Sequence, residues 1–253
     1  MSEPVTRPLN LGHRGARNLA PENTLAGMRA GMAAGADGVE FDVQRTADGH
    51  LVVFHDDDLQ RICSVAGRIV TSTLAQLREL DAGSHFGPQF AGEPIPTLDE
   101  VIETLPVRAF LNIEAKRFRL RSDGLEAGIA EAFRRHSLAG RCIISSFNPV
   151  LLGRMARIDR SIPLGLLYAP DLPFGFRRGW PRYLLRLHAL HPHYEQVDPE
   201  LLRKAHARGQ QINTWTVNEP AEMRRLIDLG VDSIITDRPD LLGLENSRLE
   251  NRK

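Results

Sequence analysis

The chain has 253 residues, 32 Lys+Arg against 32 Asp+Glu, and 42% hydrophobic residues. That length serves one large domain or two small ones and buries roughly 70–75% of the unfolded surface. The balanced charge gives no electrostatic case for a nucleic-acid partner, and no run approaches the ~18 apolar residues of a transmembrane segment.

The first eight residues read as a polar arm, and a strand follows over about Leu9–His13. Pro21-Glu22-Asn23-Thr24 marks a turn and a helix start, with Asn23 or Thr24 as cap and Gly35 as stop. Leu25, Met28, Met32 and Ala36 recur at helical spacing. In the next strand, Gly38–Gln44, alternation puts Glu40, Asp42 and Gln44 on one face and Val39, Phe41 and Val43 on the other. Only Arg45 to His50 separates it from LVVFH, and a parallel crossover needs a dozen or more residues. LVVFH is therefore expected to return antiparallel, a hairpin arm that carries His55 back toward Glu40 and Asp42.

Residues 57–96 are polar and glycine-rich, with one short helix near Leu74–Leu80. They read as an insertion without enough apolar residues for a core of its own. After Pro96 helices and strands alternate. Strands are expected at Ala109–Ala115, Cys142–Phe147, Ile162–Tyr168, about Ala189–His193, Gln211–Val217 and Ser233–Thr236. Helices are expected at Leu98–Leu105, Asp123–His136, Pro149–Arg157, about Arg182–Leu187, Pro199–Arg208 and Pro220–Leu229, with Glu245–Lys253 as a charged tail. Leaving out the hairpin arm, eight strands in this rhythm predict an α/β protein, a (β/α)8 TIM barrel in one domain over 1–253. An open doubly wound sheet is the alternative, because the strand near 189 is poorly defined. Arg178, Arg182 and Arg186 lie four apart beside Trp180, Tyr183, Leu184 and Leu187. The expected reading is an outer helix with its apolar face on the strands, starting at Pro181, and a basic amphipathic segment lying on an anionic membrane is the alternative. The N-terminus lacks the apolar core of a signal peptide, and Cys63 and Cys142 are distant in sequence, which predicts a reduced, cytoplasmic protein. The oligomeric state is left open.

In a barrel, chemistry gathers at the C-terminal ends of the strands. Those ends read His13-Arg14, Glu40 and Asp42, Glu114 and Lys116, Ser145-Ser146-Phe147, His191 and His193, Trp215, and Asp237. Carboxylates are seldom buried unless paired or bound to metal. Glu40, Asp42 and Glu114 supply oxygen ligands with no cysteine nearby, which favours Mg²⁺ or Ca²⁺ over zinc. An ordinary ion network with Arg14, Arg45 or Lys116 is the plainer alternative. Asp237, in TDRP, reads first as a turn or helix-start residue.

Taken together, GHRGARNLAPENT, GADGVEFDVQRTADGHLVVFHDDDL, LNIEAK, IISSFNP, INTWTVNEP and GVDSIITDRP resemble the glycerophosphodiester phosphodiesterase family, in order from residue 12 to 239. The resemblance implies a (β/α)8 barrel with a small insertion after the HD motif. It also implies catalytic histidines at His13 and His55, and metal-binding carboxylates at Glu40, Asp42 and Glu114. Phosphate-contacting residues fall on Arg14 and Lys116, and a tryptophan beside the glycerol moiety on Trp215. Glu22 is expected to support the metal site or His13 from behind. Ala115 stands where the family usually has Ile or Leu.

The implied reaction is hydrolysis of small soluble glycerophosphodiesters, such as glycerophosphocholine or glycerophosphoethanolamine, to glycerol 3-phosphate and an alcohol with one divalent cation. Two other readings stay open. One is a lysophospholipase D, or a phospholipase that stops at a cyclic phosphate. The other is a non-enzymatic binder of phosphate ligands.

Overall fold

In this computed structural model, residues 7–116 and 122–250 are described, so the expected polar arm lies almost wholly outside the described residues. In chain order the elements are β1 (Leu9–His13), α1 (Leu25–Ala33), β2 (Gly38–Arg45), β3 (Leu51–Val53), α2 (Gln60–Cys63), α3 (Leu74–Arg78), α4 (Leu98–Thr104), β4 (Phe110–Ala115) and α5 (Leu125–Arg135). There follow β5 (Cys142–Ser146), α6 (Pro149–Ile158), β6 (Leu164–Tyr168), β7 (Ala189–Pro192), α7 (Pro199–His206), β8 (Gln211–Thr214), α8 (Pro220–Leu229), β9 (Ser233–Thr236) and α9 (Pro239–Glu250).

Among the described residues, eight parallel strands run in the order β1-β9-β8-β7-β6-β5-β4-β2. The sheet closes because β1 pairs in parallel with both β2 and β9, so the open doubly wound alternative is excluded. β3 lies outside the barrel, antiparallel on β2, with Val43 opposite Val53. The turn between them is tied by Thr46 N–H to His50 C=O, at 2.9 Å, and Gly49 takes the positive φ of 96° that the bend needs.

The main core lies between strands and helices. Val39, Phe41 and Val43 of β2 and Leu111, Ile113 and Ala115 of β4 pack outward against Val101 and Ile102 of α4 and Leu125 and Ile129 of α5. Their alternate neighbours, Glu40, Asp42, Asn112 and Glu114, are thereby forced inward. Helix starts are well made. Thr24 caps α1, and Thr97 with Glu100 forms a capping box on α4.

Three expectations fail. The insertion at 57–96 does gather a small core, with Leu59, Ile62, Ile69, Leu77, Ala82 and Ile95 closing on Val52 and Phe54 of the hairpin. The expected tail from Glu245 is the second half of α9, whose Leu242, Glu245 and Asn246 are buried. The Asn246 amide donates to Pro8 C=O, and the buried Glu245 pairs with Arg224 and Arg248, while residues 251–253 of the expected tail lie outside the described residues.

The outer helix expected over Arg182–Leu187 is absent. In its place stands one 3-10 turn, Trp180–Tyr183, which leaves Trp180, Tyr183 and Leu184 exposed and buries only Leu187 of the predicted apolar face. Gly179 turns left-handed at φ 61°, and His188 N–H already bonds Leu164 C=O, so too little chain lies between them to repay a helix nucleus. Among the described residues no helix is long and apolar enough to cross a membrane.

Candidate active site

Strand register builds the site. His13 of β1 pairs with Glu40 of β2, and Glu40 with Asn112 of β4. One step further along, Asp42 pairs with Glu114, and Glu114 with Ser145 of β5. Two adjacent rows of inward side chains thus meet at the C-terminal end of the barrel. Glu40, Asp42 and Glu114 each bring a carboxylate oxygen within 4.8 Å of the other two, all buried.

These carboxylates are not electrically alike. Burial pushes Glu40 up, and the charges of Asp42 and Glu114 push it further, leaving it well above the usual carboxylate range. Burial also raises Asp42, but Lys116 and Arg14 outweigh that and hold it low. For Glu114 burial prevails over Lys116, and the group stays high. Lys116 Nζ lies 3.2 Å from Glu114 and 3.5 Å from Asp42. Two buried cations, Lys116 and Arg14, face three buried carboxylates, which leaves an excess of negative charge felt most by Glu40 and Glu114. An all-oxygen trio of this size and charge fits a hard divalent ion.

Both histidines are oriented by carboxylates. His13 Nδ1 is 2.6 Å from Asp237, and His55 Nδ1 is 2.6 Å from Asp56. A carboxylate only accepts, so each ring donates through Nδ1 and leaves Nε2 for other work. His13 Nε2 lies 3.9 Å from Glu40. Burial lowers the pKa of both rings, and in each case the neighbouring carboxylates recover only part of that loss. Asp237 is held in turn by the Asn218 amide at 2.8 Å, and Asp56 by Arg61 Nε at 2.6 Å.

Arg14 adopts the left-handed region at φ 51°, uncommon for a side chain of its size. The turn is possible because Gly15 follows it: a Cβ there would lie 2.5 Å from Gly27 C of α1. This bend aims Arg14 N–H at Glu40, at 3.1 Å, and brings its guanidinium to 2.7 Å from Glu22. Glu22 also takes two hydrogen bonds from Arg61, at 2.7 and 2.9 Å. Burial would raise its pKa, but the two guanidiniums bring it down to about 2. Glu22 therefore bears on the trio through Arg14, which stands 3.5 Å from Asp42, and ties the insertion to the site through Arg61.

A cavity of about 260 Å³ opens onto His13, Arg14, Glu40, His55, Glu114 and Lys116. Phe147, Leu167, Trp215 and Ile235 form its apolar wall. Trp215 spends its indole N–H on His191 C=O at 2.9 Å, and its ring meets Phe147 edge-on at 5.5 Å. Around the trio, both amide atoms of Asn112 and Ser145 Oγ are buried without hydrogen-bond partners, which is costly unless a ligand supplies them.

All nine residues singled out from sequence therefore meet at one end of the barrel. Sequence reasoning passed over Asp237 and Asp56 as histidine partners, Asn23, which donates to Asp42 at 2.9 Å, and Arg61. A signal for Asp237 did exist: closure of a barrel puts the end of the last strand beside the end of the first.

A model of the Glycerophosphoryl diester phosphodiesterase family matches residues 13–241. The chain belongs to this family. A glycerophosphodiester phosphodiesterase of Caldanaerobacter subterraneus subsp. tengcongensis is 40% identical over 238 residues, covering 93% of this chain and 96% of that one. Among solved structures, an Oleispira antarctica phosphodiesterase in complex with the product sn-glycerol-3-phosphate matches with a TM-score of 0.84. It is 31% identical, covering 95% of this chain and 97% of that one. A glycerophosphodiester phosphodiesterase from Thermotoga maritima gives a TM-score of 0.77 at 29% identity, covering 94% and 97%. As a member of the glycerophosphodiester phosphodiesterases the chain is a hydrolase with a TIM-barrel fold.

Proposed function

We propose that this enzyme hydrolyses small soluble glycerophosphodiesters, such as glycerophosphocholine or glycerophosphoethanolamine, to glycerol 3-phosphate and an alcohol, and that it needs one Mg²⁺ or Ca²⁺. The observation that carries the proposal is a buried carboxylate trio flanked by two histidines, each oriented through Nδ1 by its own carboxylate. The substrate class is supported by the product bound in the Oleispira antarctica relative. The two cysteines are free, which suits a reducing cytoplasm.

Glu40, Asp42 and Glu114 would hold the ion. When bound, it supplies positive charge to the nonbridging oxygens of the phosphodiester. Lys116 adds a point charge, and Arg14 a planar fork matched to phosphate oxygens. His13 Nε2 takes the proton of the attacking hydroxyl, and Asp237 stabilises the imidazolium that results. His55, protonated as the anionic substrate raises its proton affinity, gives its proton to the departing alkoxide. The attacking hydroxyl belongs to water or to the substrate's neighbouring glycerol carbon; in the second case water then opens a cyclic phosphate. Trp215 offers the glycerol unit an apolar face.

The test is phosphorus NMR of the products from glycerophosphocholine. Glycerol 3-phosphate with choline is expected; phosphocholine with glycerol would reject the bond assignment. A cavity of about 260 Å³, charged on one side and apolar on the other, suits a glycerophosphate unit, and a long acyl chain would have to lie outside it. kcat/KM for glycerophosphocholine should exceed that for monomeric lysophosphatidylcholine, and the reverse order would favour a lysophospholipase D.

A further inference from the structure

The segment from β6 to β7 is unlike the rest of the surface. Five large apolar side chains lie exposed within 11 residues: Phe174, Phe176, Trp180, Tyr183 and Leu184, with Phe174 at 75% and Leu184 at 71%. Soluble proteins scatter such residues singly, and a contiguous group marks an interaction surface. Arg177, Arg178, Arg182 and Arg186 are interleaved with them, against Asp171 as the sole acid from 169 to 188. Among the described residues none of these arginines forms an ion pair. Arg177 stacks on Phe174 at 4.7 Å, and Arg182 and Arg208 lie over Tyr183 at 5.0 and 5.4 Å.

Beneath them is a cavity of about 480 Å³, left where the outer helix is missing, lined by Tyr168, Arg178, Arg182, Gln196 and Lys204. Tyr168 is 3% exposed, yet its hydroxyl has no hydrogen-bond partner, and neither has Arg182 Nε. The acids at its edge are occupied: Asp198 caps Leu201 N–H, and Glu200 pairs with Lys204. Arg182 donates to Tyr183 Oη at 3.1 Å, but its buried Nε, in a lining of three cations and two acids, is a donor that an anion would satisfy.

We propose that residues 170–186 dock the enzyme on an anionic phospholipid surface. A lipid phosphate enters the cavity against Arg178, Arg182 and Tyr168 Oη, while Phe174, Trp180, Tyr183 and Leu184 enter the interfacial layer. Aromatic rings and arginines with apolar stems are the groups that settle at that depth, and each arginine gains from the negative surface potential. The segment leaves the C-terminal end of β6, the same end at which the catalytic cavity opens. A second argument rests on the proposed function: a glycerophosphodiester arises by removal of acyl chains from a glycerophospholipid, a reaction of the bilayer surface.

The test is cosedimentation of the full chain with vesicles of phosphatidylcholine alone or mixed with phosphatidylglycerol. Binding at least about tenfold stronger to the anionic vesicles, weakened by salt, is expected from several arginines in the negative surface potential. The double variants Phe174→Ser/Leu184→Ser and Arg178→Gln/Arg182→Gln should each lose most of it. Both should hydrolyse soluble glycerophosphocholine at the wild-type rate, which reports that they are folded. Equal binding to both vesicle types, or variants that bind as wild type does, would overturn the proposal. So would saturable binding of inorganic phosphate without vesicle binding, which would make the cavity a small-anion site. A dimer dissolved by Phe174→Ser/Leu184→Ser would assign the patch to a second copy and overturn it as well. Vesicle binding is read without substrate, so its failure is distinct from failure of the proposed reaction.

Discussion

The two histidines share a construction, and that makes their roles testable one atom at a time. His13→Ala and His55→Ala should each lower turnover by about 10²–10⁴-fold, with thermal stability close to wild type. A variant keeping most of its turnover would remove that histidine from proton transfer. Asp237→Asn keeps shape but presents an amide, which can donate to Nδ1 and leave the proton on Nε2. Turnover should then fall nearly as far as in His13→Ala, whereas a merely structural Asp237 would change stability and leave kcat alone. Glu40 is raised by burial and by its two acidic neighbours, so Glu40→Gln should raise the stability of metal-free protein by on the order of 1 kcal/mol while abolishing activity. Urea unfolding in EDTA checks this; a loss of stability would show that Glu40 is already well paired. The trio was legible in sequence because strand alternation marks it, and the histidines because they end strands and match the motifs of the family the chain resembles. Asp237 was not, because it lies 224 residues from His13 and TDRP alone looks like a helix start.

At the scale of elements, local chemistry was readable wherever one stretch of chain decides the outcome. The hairpin of β2 and β3 followed from a connection too short for a crossover. α8 begins and ends where its proline and glycine place it. The 180–187 stretch misled because its apolar residues fit a helical period, while Gly179 and the early return to β7 deny the helix its length. α9 was hidden by charges that find partners only in the folded barrel. A pH-dependent tie joins β1 to the loop before β2. Burial pushes the Asp37 carboxyl up, but hydrogen bonds from Arg7 and Asn10 N–H overcome it and hold the group below the usual range. A depressed carboxylate stabilises above its unfolded pKa of about 3.9, and that stability is lost as pH falls through the folded value. Asp37→Asn should therefore cost about 1 kcal/mol at neutral pH, allowing for the part-exposed Arg7, and nothing once both forms are protonated. Equal stability of the two proteins at neutral pH would remove this tie.

At the scale of the whole molecule, closure of the sheet makes one site from residues far apart in sequence, and the insertion locks onto it through Arg61. Its small core shares Val52 and Phe54 with the hairpin, so we expect the insertion to unfold with the barrel as a single domain. Fluorescence and circular dichroism should give coincident urea transitions; an earlier transition for the insertion would divide the chain. The account stands on one ion at Glu40, Asp42 and Glu114. Its most direct test is glycerophosphocholine hydrolysis by EDTA-stripped protein, titrated separately with Mg²⁺ and Ca²⁺, with bound metal counted alongside. We predict no glycerol 3-phosphate from the stripped enzyme and recovery in proportion to one ion per chain, absent in Glu114→Gln. Undiminished turnover by protein shown to be metal-free would contradict it.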